Sequence, residues 1–498
     1  MKKWVIFLLI ALPRLVFAQE KEILNTYTKK ELQADFDLMV NAIIEGHGGL
    51  YWYNSYEAFD SICSVERNKI IEGMDSYDFF RIASKIVTST KEGHCRIYSS
   101  RDIGEYFRKK AKLIPVVVKV IDSELYLLNN IKEHSTKGKI LRKVDGVEIQ
   151  AHVDKILEYS RKASDGLIRT GKIRYSIDYA NFTNYYADYV GQRDIYRLEL
   201  FDPNTKELET LEVNGVNALD FREIRKQVEI PYFDSPIELI LNHEHQTARL
   251  ALNSFRHTYY HRDGNEDLAF KSFKMKIDSA FEAIKRNKIE NVIIDLRHNS
   301  GGTEGYEDYV FSYLTAESYE KYQCVQAKAL TFSFLSYTQY NTYEKQKEFE
   351  GYMENEFQLH SDGRYLRKPE FMPVEDPRED CFKGKIYVLT SGRTYSGGSE
   401  LASLLKIHTD AIFVGEETGG GFYGQTSGMG LNLRLPNTNI GIDIPLIKFV
   451  LTDFHHDIPF GRGVIPDYQV ENTYEEFIGK VDVEMNFVMN LISKRKRL

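Results

Sequence analysis

The chain has 498 residues, 42% hydrophobic and 28% charged, the balance of a packed globular protein rather than a disordered one. Lys and Arg number 65 against 73 Asp and Glu, a formal charge of −8, so the basic face of a nucleic-acid binder is not expected. The one long apolar run lies at the N-terminus, which excludes a multispan membrane protein, and the length leaves room for several domains.

Lys2 and Lys3 precede an apolar stretch, Trp4 to Leu12, too short to span a bilayer. Val16-Phe17-Ala18 then supplies the small residues of a cleavage site before Gln19. Residues 1–18 are therefore expected to be a signal peptide. The chain is expected to be exported to the periplasm, cell surface or exterior, with no membrane span left in the mature protein. Export permits disulfides, but Cys63, Cys95, Cys324 and Cys381 are widely spaced and include no C-x-x-C pair. Four cysteines allow three pairings, and the sequence does not choose among them. A His94-Cys95 nucleophile pair is disfavoured because adjacent side chains seldom meet productively.

Residues 29–46 place Leu32, Phe36, Met39, Val40 and Ile43 on one helical face. Further helical segments follow at 56–72 and 76–90, the second opening at Asp75-Ser76, a pair suited to an N-cap. Residues 19–109 read as a helical domain. From Leu113 the runs LIPVVVKVI, ELYLLNNI and GKILRKVDGVEI, broken by turn residues, read as short strands, with a helix over VDKILEYSRKA. They form a compact β-rich module over 110–215. In 216–480, PIELILNHEHQ and TARLALNSF look like paired strands, followed by an amphipathic helix at 267–288 and the strand NVIIDL. After a polar, aromatic insertion at about 319–380 come the strand KIYVLT, the helix SGGSELASLLKI and the strand AIFVGE. This alternation implies an α/β layer with partly parallel strands, and 481–498 reads as a C-terminal helix and tail.

Three glycine-rich turns end apolar strands of that layer, where α/β sheets build their sites. Asp295-Leu296-Arg297-His298-Asn299-Ser300-Gly301-Gly302 offers backbone amides that could approach a ligand closely, as an oxyanion hole requires, or is an ordinary Asn-Ser-Gly turn. Thr394-Tyr395-Ser396-Gly397-Gly398-Ser399-Glu400 puts a serine between strand and helix, as nucleophile or as plain N-cap. Gly419 to Gly424 spells a G-x-G-x-x-G, but the strand-like GMGLNLRLP follows it instead of a helix, which rejects dinucleotide binding.

In order and spacing these turns resemble the C-terminal processing and tricorn-like serine peptidases of family S41. The resemblance extends to Gly463-Val464-Ile465-Pro466-Asp467, a match to that family's G-V-x-P-D turn. It extends further to Glu92-Gly93-His94-Cys95 at the place of its D-G-H-[TS] segment, and to the Val144-Asp145-Gly146-Val147 turn of a PDZ-like module over 110–215. It covers nearly all of the mature chain. The fold it implies is multidomain α/β: an N-terminal helical domain, a PDZ-like β-rich module and a mixed α/β ClpP/crotonase-like catalytic core.

The resemblance implies Ser396 as nucleophile, with Gly397 and the Gly301-Gly302 amides as oxyanion donors. His94 matches the histidine base of the tricorn-like branch, a role suited to its near-neutral titration. The processing branch uses a lysine soon after the G-E turn, where this chain has Gly421. The acidic member expected before the G-V-x-P-D turn has no clear counterpart, and Asp457 is the nearest candidate. The implied substrate is a peptide or protein, captured as an extended segment or by a free C-terminus, with no cofactor and no metal. His243-Glu244-His245, read as alternating along a strand, and His455-His456-Asp457 lack the H-E-x-x-H spacing of a metal site. The alternatives are a non-catalytic peptide or hydrophobic-ligand binding protein on the same fold, and a hydrolase of non-peptide acyl bonds. Oligomeric state is not read from the sequence.

Overall fold

The computed structural model describes residues 23–160, 164–452 and 457–495. The proposed leader and the His455-His456 pair lie outside the described residues. The architecture is mixed α/β, as expected.

The first helices occupy Lys29–Gly46, Tyr56–Asn68 and Ser76–Ser89. Thr28 and Glu31 close a capping box on the first, and Asp75 caps the third by accepting from the Tyr77 and Asp78 amides. Leu32, Phe36, Met39 and Ile43 turn inward from the first helix, each at most 1% exposed. A buried aliphatic side chain of this kind contributes about 1.5–3 kcal/mol. They do not form a core of their own. They share one with Leu431, Ile442, Ile444 and Leu446 of the hairpin Gly424–Arg434 and Gly441–Val450. The strand Arg96–Tyr98, directly after His94, pairs antiparallel with Gly441–Val450, so the segment carrying the histidine is tied to the C-terminal half of the chain.

The insertion at 319–380 is structured. Its strand Cys324–Ala327 pairs with Gly441–Val450, and the hairpin of Phe357–Leu359 and Tyr365–Arg367 extends the same sheet outward. Residues 118–214 contain an antiparallel sheet of Val118–Ile121, Glu124–Leu127, Ile140–Val144, Ile195–Phe201 and Leu208–Asn214, with the helix Ile149–Tyr159 on it. The helical run Arg169–Ser176, Asn181–Tyr185 and Tyr186–Val190 inside this region was not expected, because no apolar period marks it.

The third sheet runs, in spatial order, Tyr468–Gln469, Ile412–Gly415, Lys385–Thr390, Asn291–Asp295, Thr247–Leu252 and Ile237–Asn242. Its inner pairs are parallel and its last pair antiparallel. The unbroken apolar run Val292-Ile293-Ile294 is fully buried, as a parallel strand covered on both faces requires. Glu266–Arg286 covers one face through Phe273 and Ile277. Val483–Arg495 covers the other through Val488 and Ile492.

One reading is corrected. The strand Ile237–Asn242 stops before His243, so His243-Glu244-His245 forms a turn and its side chains do not alternate along a strand. No group of three His, Cys, Asp or Glu residues suited to a metal ion occurs among the described residues. All four cysteines are free, with Cys63, Cys95 and Cys381 buried. Burial pushes the Cys95 thiol up to about 12, far from a reactive thiolate.

Candidate active site

Two of the glycine-rich turns leave the ends of neighbouring parallel strands, Asn291–Asp295 and Lys385–Thr390. Asp295 anchors the first turn, receiving hydrogen bonds from the Arg297 and Arg249 guanidinium groups, which hold its carboxyl well below the usual range against burial. The second turn is bonded onto the first. Thr394 Oγ1 donates to the Leu296 carbonyl at 2.8 Å, Ser391 Oγ to that of Arg297 at 2.6 Å, and the Tyr395 amide to that of Asn299 at 2.9 Å.

Ser396 lies at the start of the helix Gly397–His408 with φ 53 and ψ −132. A non-glycine residue held there stores strain of about 1–3 kcal/mol, a feature common at functional sites. Its side chain makes no capping hydrogen bond, so the plain N-cap alternative does not describe it. Oγ lies instead 3.2 Å from His94 Nε2, although the two residues are 302 positions apart.

The other ring nitrogen, Nδ1, is 3.0 Å from the Tyr395 hydroxyl, which donates to Asp165 Oδ1 at 3.0 Å. The two rings stack with centroids 4.9 Å apart. Because the Tyr395 proton goes to Asp165, its oxygen is free to accept Nδ1–H, the tautomer that leaves Nε2 able to take a proton from Ser396. Burial, with Arg96 and His47 nearby, lowers His94 to about 3, so the imidazole is neutral at physiological pH.

Asp165 accepts from the Gly93 amide at 3.0 Å and the Gly421 amide at 3.1 Å. Glu92 lies against it, fully buried and bonded to Thr426 Oγ1 at 3.0 Å. Burial and the Asp165 charge push Glu92 well above the carboxylate range. Burial raises Asp165 as well, but its two amides and the Tyr395 hydroxyl favour its charged form, so the shared proton rests on Glu92.

Of the residues singled out in the sequence, Ser396, His94, Gly397, Gly301 and Gly302 come together. Gly301 adopts φ +84, and a Cβ there would stand 2.6 Å from Ser396 Cβ and 2.7 Å from the Gly397 nitrogen. Its role as an oxyanion donor is corrected, because its N–H already donates to Asn299 Oδ1 at 2.8 Å. The Gly302 and Gly397 amides have no hydrogen-bond acceptor among the described residues and stay available. Asp457 is exposed, and no hydrogen bond joins it to His94 among the described residues. The carboxylate connected to the imidazole is Asp165, through Tyr395. Gly421 stands where a lysine base was looked for, and a Cβ there would meet the Gly424 carbonyl at 2.6 Å and Tyr53 Oη at 3.1 Å. No side chain fits. Sequence reasoning missed Tyr395, Asp165 and Glu92. Tyr395 and Glu92 lie inside motifs that were quoted without a role for them, while Asp165 comes from a segment with no motif.

Residues 247–470 match the family described as peptidase family S41. No curated protein matches the chain. The fold is similar to that of a CPAF mutant crystal structure, with TM-score 0.63 and 13% identity, covering 94% of this chain and 97% of that one. It is similar also to mature CPAF complexed with lactacystin, with TM-score 0.59 and 14% identity, covering 94% of this chain and 99% of that one. At such identities the likeness is one of fold.

Proposed function

The chain is a member of peptidase family S41 through its residues 247–470, and from that premise we propose that it is a serine peptidase with Ser396 as nucleophile and His94 as general base. Membership implies a peptide or protein substrate. The observation that carries the finer reading is the 3.2 Å approach of Ser396 Oγ to a neutral His94 Nε2.

In this reading His94 Nε2 takes the Ser396 proton as Oγ attacks the scissile carbonyl carbon. The Gly397 amide, at the positive end of its helix, and the Gly302 amide receive the oxyanion. His94 then returns the proton to the leaving amine nitrogen, the C–N bond breaks, and an acyl-enzyme remains. Water, deprotonated by the same nitrogen, releases the acid and restores Ser396. Tyr395 and Asp165 hold the imidazole in its working tautomer, a task that a directly bonded carboxylate performs in a Ser-His-Asp triad.

Export rests on Lys2, Lys3 and the Val16-Phe17-Ala18 signal, and N-terminal sequencing of the mature protein tests it. Capture of an extended peptide by the 110–215 module rests on its antiparallel sheet. The activity is tested by incubating the full chain with an unfolded protein substrate. Fragments are expected from the wild type and not from Ser396→Ala or His94→Ala. Binding without cleavage would favour a non-catalytic protein on this fold, and cleavage by Ser396→Ala would remove the nucleophile assignment.

A further inference from the structure

Behind the start of the Ser396 helix lies a cluster that the peptidase reading does not use. Lys321, 7% exposed, stands 2.5 Å from Glu307, 2.9 Å from Asp308 and 3.3 Å from Glu400. Glu400 belongs to the serine helix itself and is also bonded by the Tyr322 hydroxyl and the Gln425 amide. Glu307 is 1% exposed; its Oε1 accepts from the Gly305 amide at 3.1 Å and from Lys321. Its Oε2 is buried and has no hydrogen-bond partner among the described residues. That oxygen faces the serine helix, and a Cβ on Gly397 would lie 3.3 Å from it.

One ammonium does not neutralise three carboxylates in a dry interior, so the cluster must hold a proton. Glu307 is its natural seat: Asp308 Oδ1 is also buried without a partner among the described residues, but the Glu307 side chain is 1% exposed against 20% for Asp308 and 6% for Glu400. Burial, helped by Asp308 and Glu400, outweighs the pull of Lys321 and pushes Glu307 up to about 8. Tyr319 and Tyr322 also feel its charge.

We propose that the Ser396 centre works only while Glu307 is a neutral acid, and that ionisation of this carboxyl switches the centre off. A carboxylate whose oxygen lies 3.3 Å from the Cβ position of Gly397 would repel the negative charge developing on the oxyanion. The neutral acid does not, and its proton leaves to solvent as the pH rises. Glu307 is thus a positioning residue for the oxyanion site, acting through Gly397. The inference rests on the serine-nucleophile reading.

The test is the rate of fluorophosphonate labelling of the full chain from about pH 6 to about pH 10, in wild type and Glu307→Gln. The wild-type rate is expected to fall about tenfold per pH unit above a midpoint near 8. Glu307→Gln, isosteric with the neutral acid, is expected to lose that fall. The same alkaline fall in both proteins, or none in the wild type, overturns the proposal. Difference infrared spectroscopy of wild type against Glu307→Gln, read at the protonated-carboxyl band, needs no activity. The band should be present at neutral pH and vanish on passing the same midpoint, and its absence at neutral pH overturns the proposal independently. Absence of labelling at every pH would overturn the nucleophile reading instead, while the infrared band still reports where the proton sits.

Discussion

The Tyr395 hydroxyl stands 3.0 Å from His94 Nδ1, on the side of the ring opposite Ser396. No carboxylate among the described residues bonds to the imidazole directly there. The negative charge sits one hydroxyl further away, on Asp165, and it is fixed by backbone amides from two distant parts of the chain, Gly93 and Gly421. Tyr395→Phe keeps the stacked ring and deletes the link. Turnover is expected to fall about 10- to 100-fold with KM little changed, since the loss is one of proton-transfer geometry. Steady-state kinetics on a peptide substrate check this. An unchanged kcat would mean that ring stacking alone orients His94.

Gly301 is fixed by two independent constraints, a positive φ and the 2.6 Å approach of a Cβ at that position to Ser396 Cβ. Both disfavour any other residue. Gly301→Ala is expected to displace the nucleophile, lower kcat more than tenfold and cost about 1–3 kcal/mol of stability. Chemical denaturation together with turnover measures both effects.

His94 is lowered to about 3 chiefly by burial, so it is neutral and competent as a base at every pH above that value. Protonation, and with it loss of activity, comes only as the pH falls towards 3. Activity is therefore expected to stay level between about pH 7 and about pH 5, where a solvated histidine base would already be losing its function. A midpoint near 6.5 would show that the imidazole is hydrated in the working enzyme.

His47 is fully buried, its Nδ1 accepting from the Gly49 amide at 3.2 Å and its Nε2 without a partner among the described residues. Burial lowers it to about 3, against 6.5 for an ordinary histidine. Between those values the unfolded chain binds the proton and the folded chain does not. His47 therefore costs no stability above about pH 6.5 and destabilises progressively as the pH falls towards 3. Tm measured from about pH 7 to about pH 4 should fall less steeply in His47→Asn than in wild type. Parallel slopes would mean that other groups carry the acid sensitivity.

The legible parts of this molecule are those where chemistry and local pattern coincide. Ser396-Gly397 and Gly301-Gly302 stood out because close backbone approach and a strand-to-helix turn both call for small residues, and His94 stood out within its motif. The first helix was readable to the residue because Leu32, Phe36, Met39 and Ile43 keep the helical period and all face the core. Asp165 was not readable. Its role exists only because folding brings the end of one helical region, the following module and the third glycine turn to one point, and no local period or spacing encodes such a meeting. Asp457 was favoured for its place in the chain, yet it lies exposed on the surface. The strands of the insertion at 319–380 were not legible because they are short, and Cys324–Ala327 gains a partner only from Gly441–Val450, more than a hundred residues later.

The most direct test of the central claim is mass spectrometry of the full chain after treatment with a fluorophosphonate. A single adduct on Ser396 is expected, abolished by Ser396→Ala and strongly reduced by His94→Ala. An adduct on another serine, or none on the folded wild-type protein, would contradict the assignment of Ser396 and His94 as nucleophile and base.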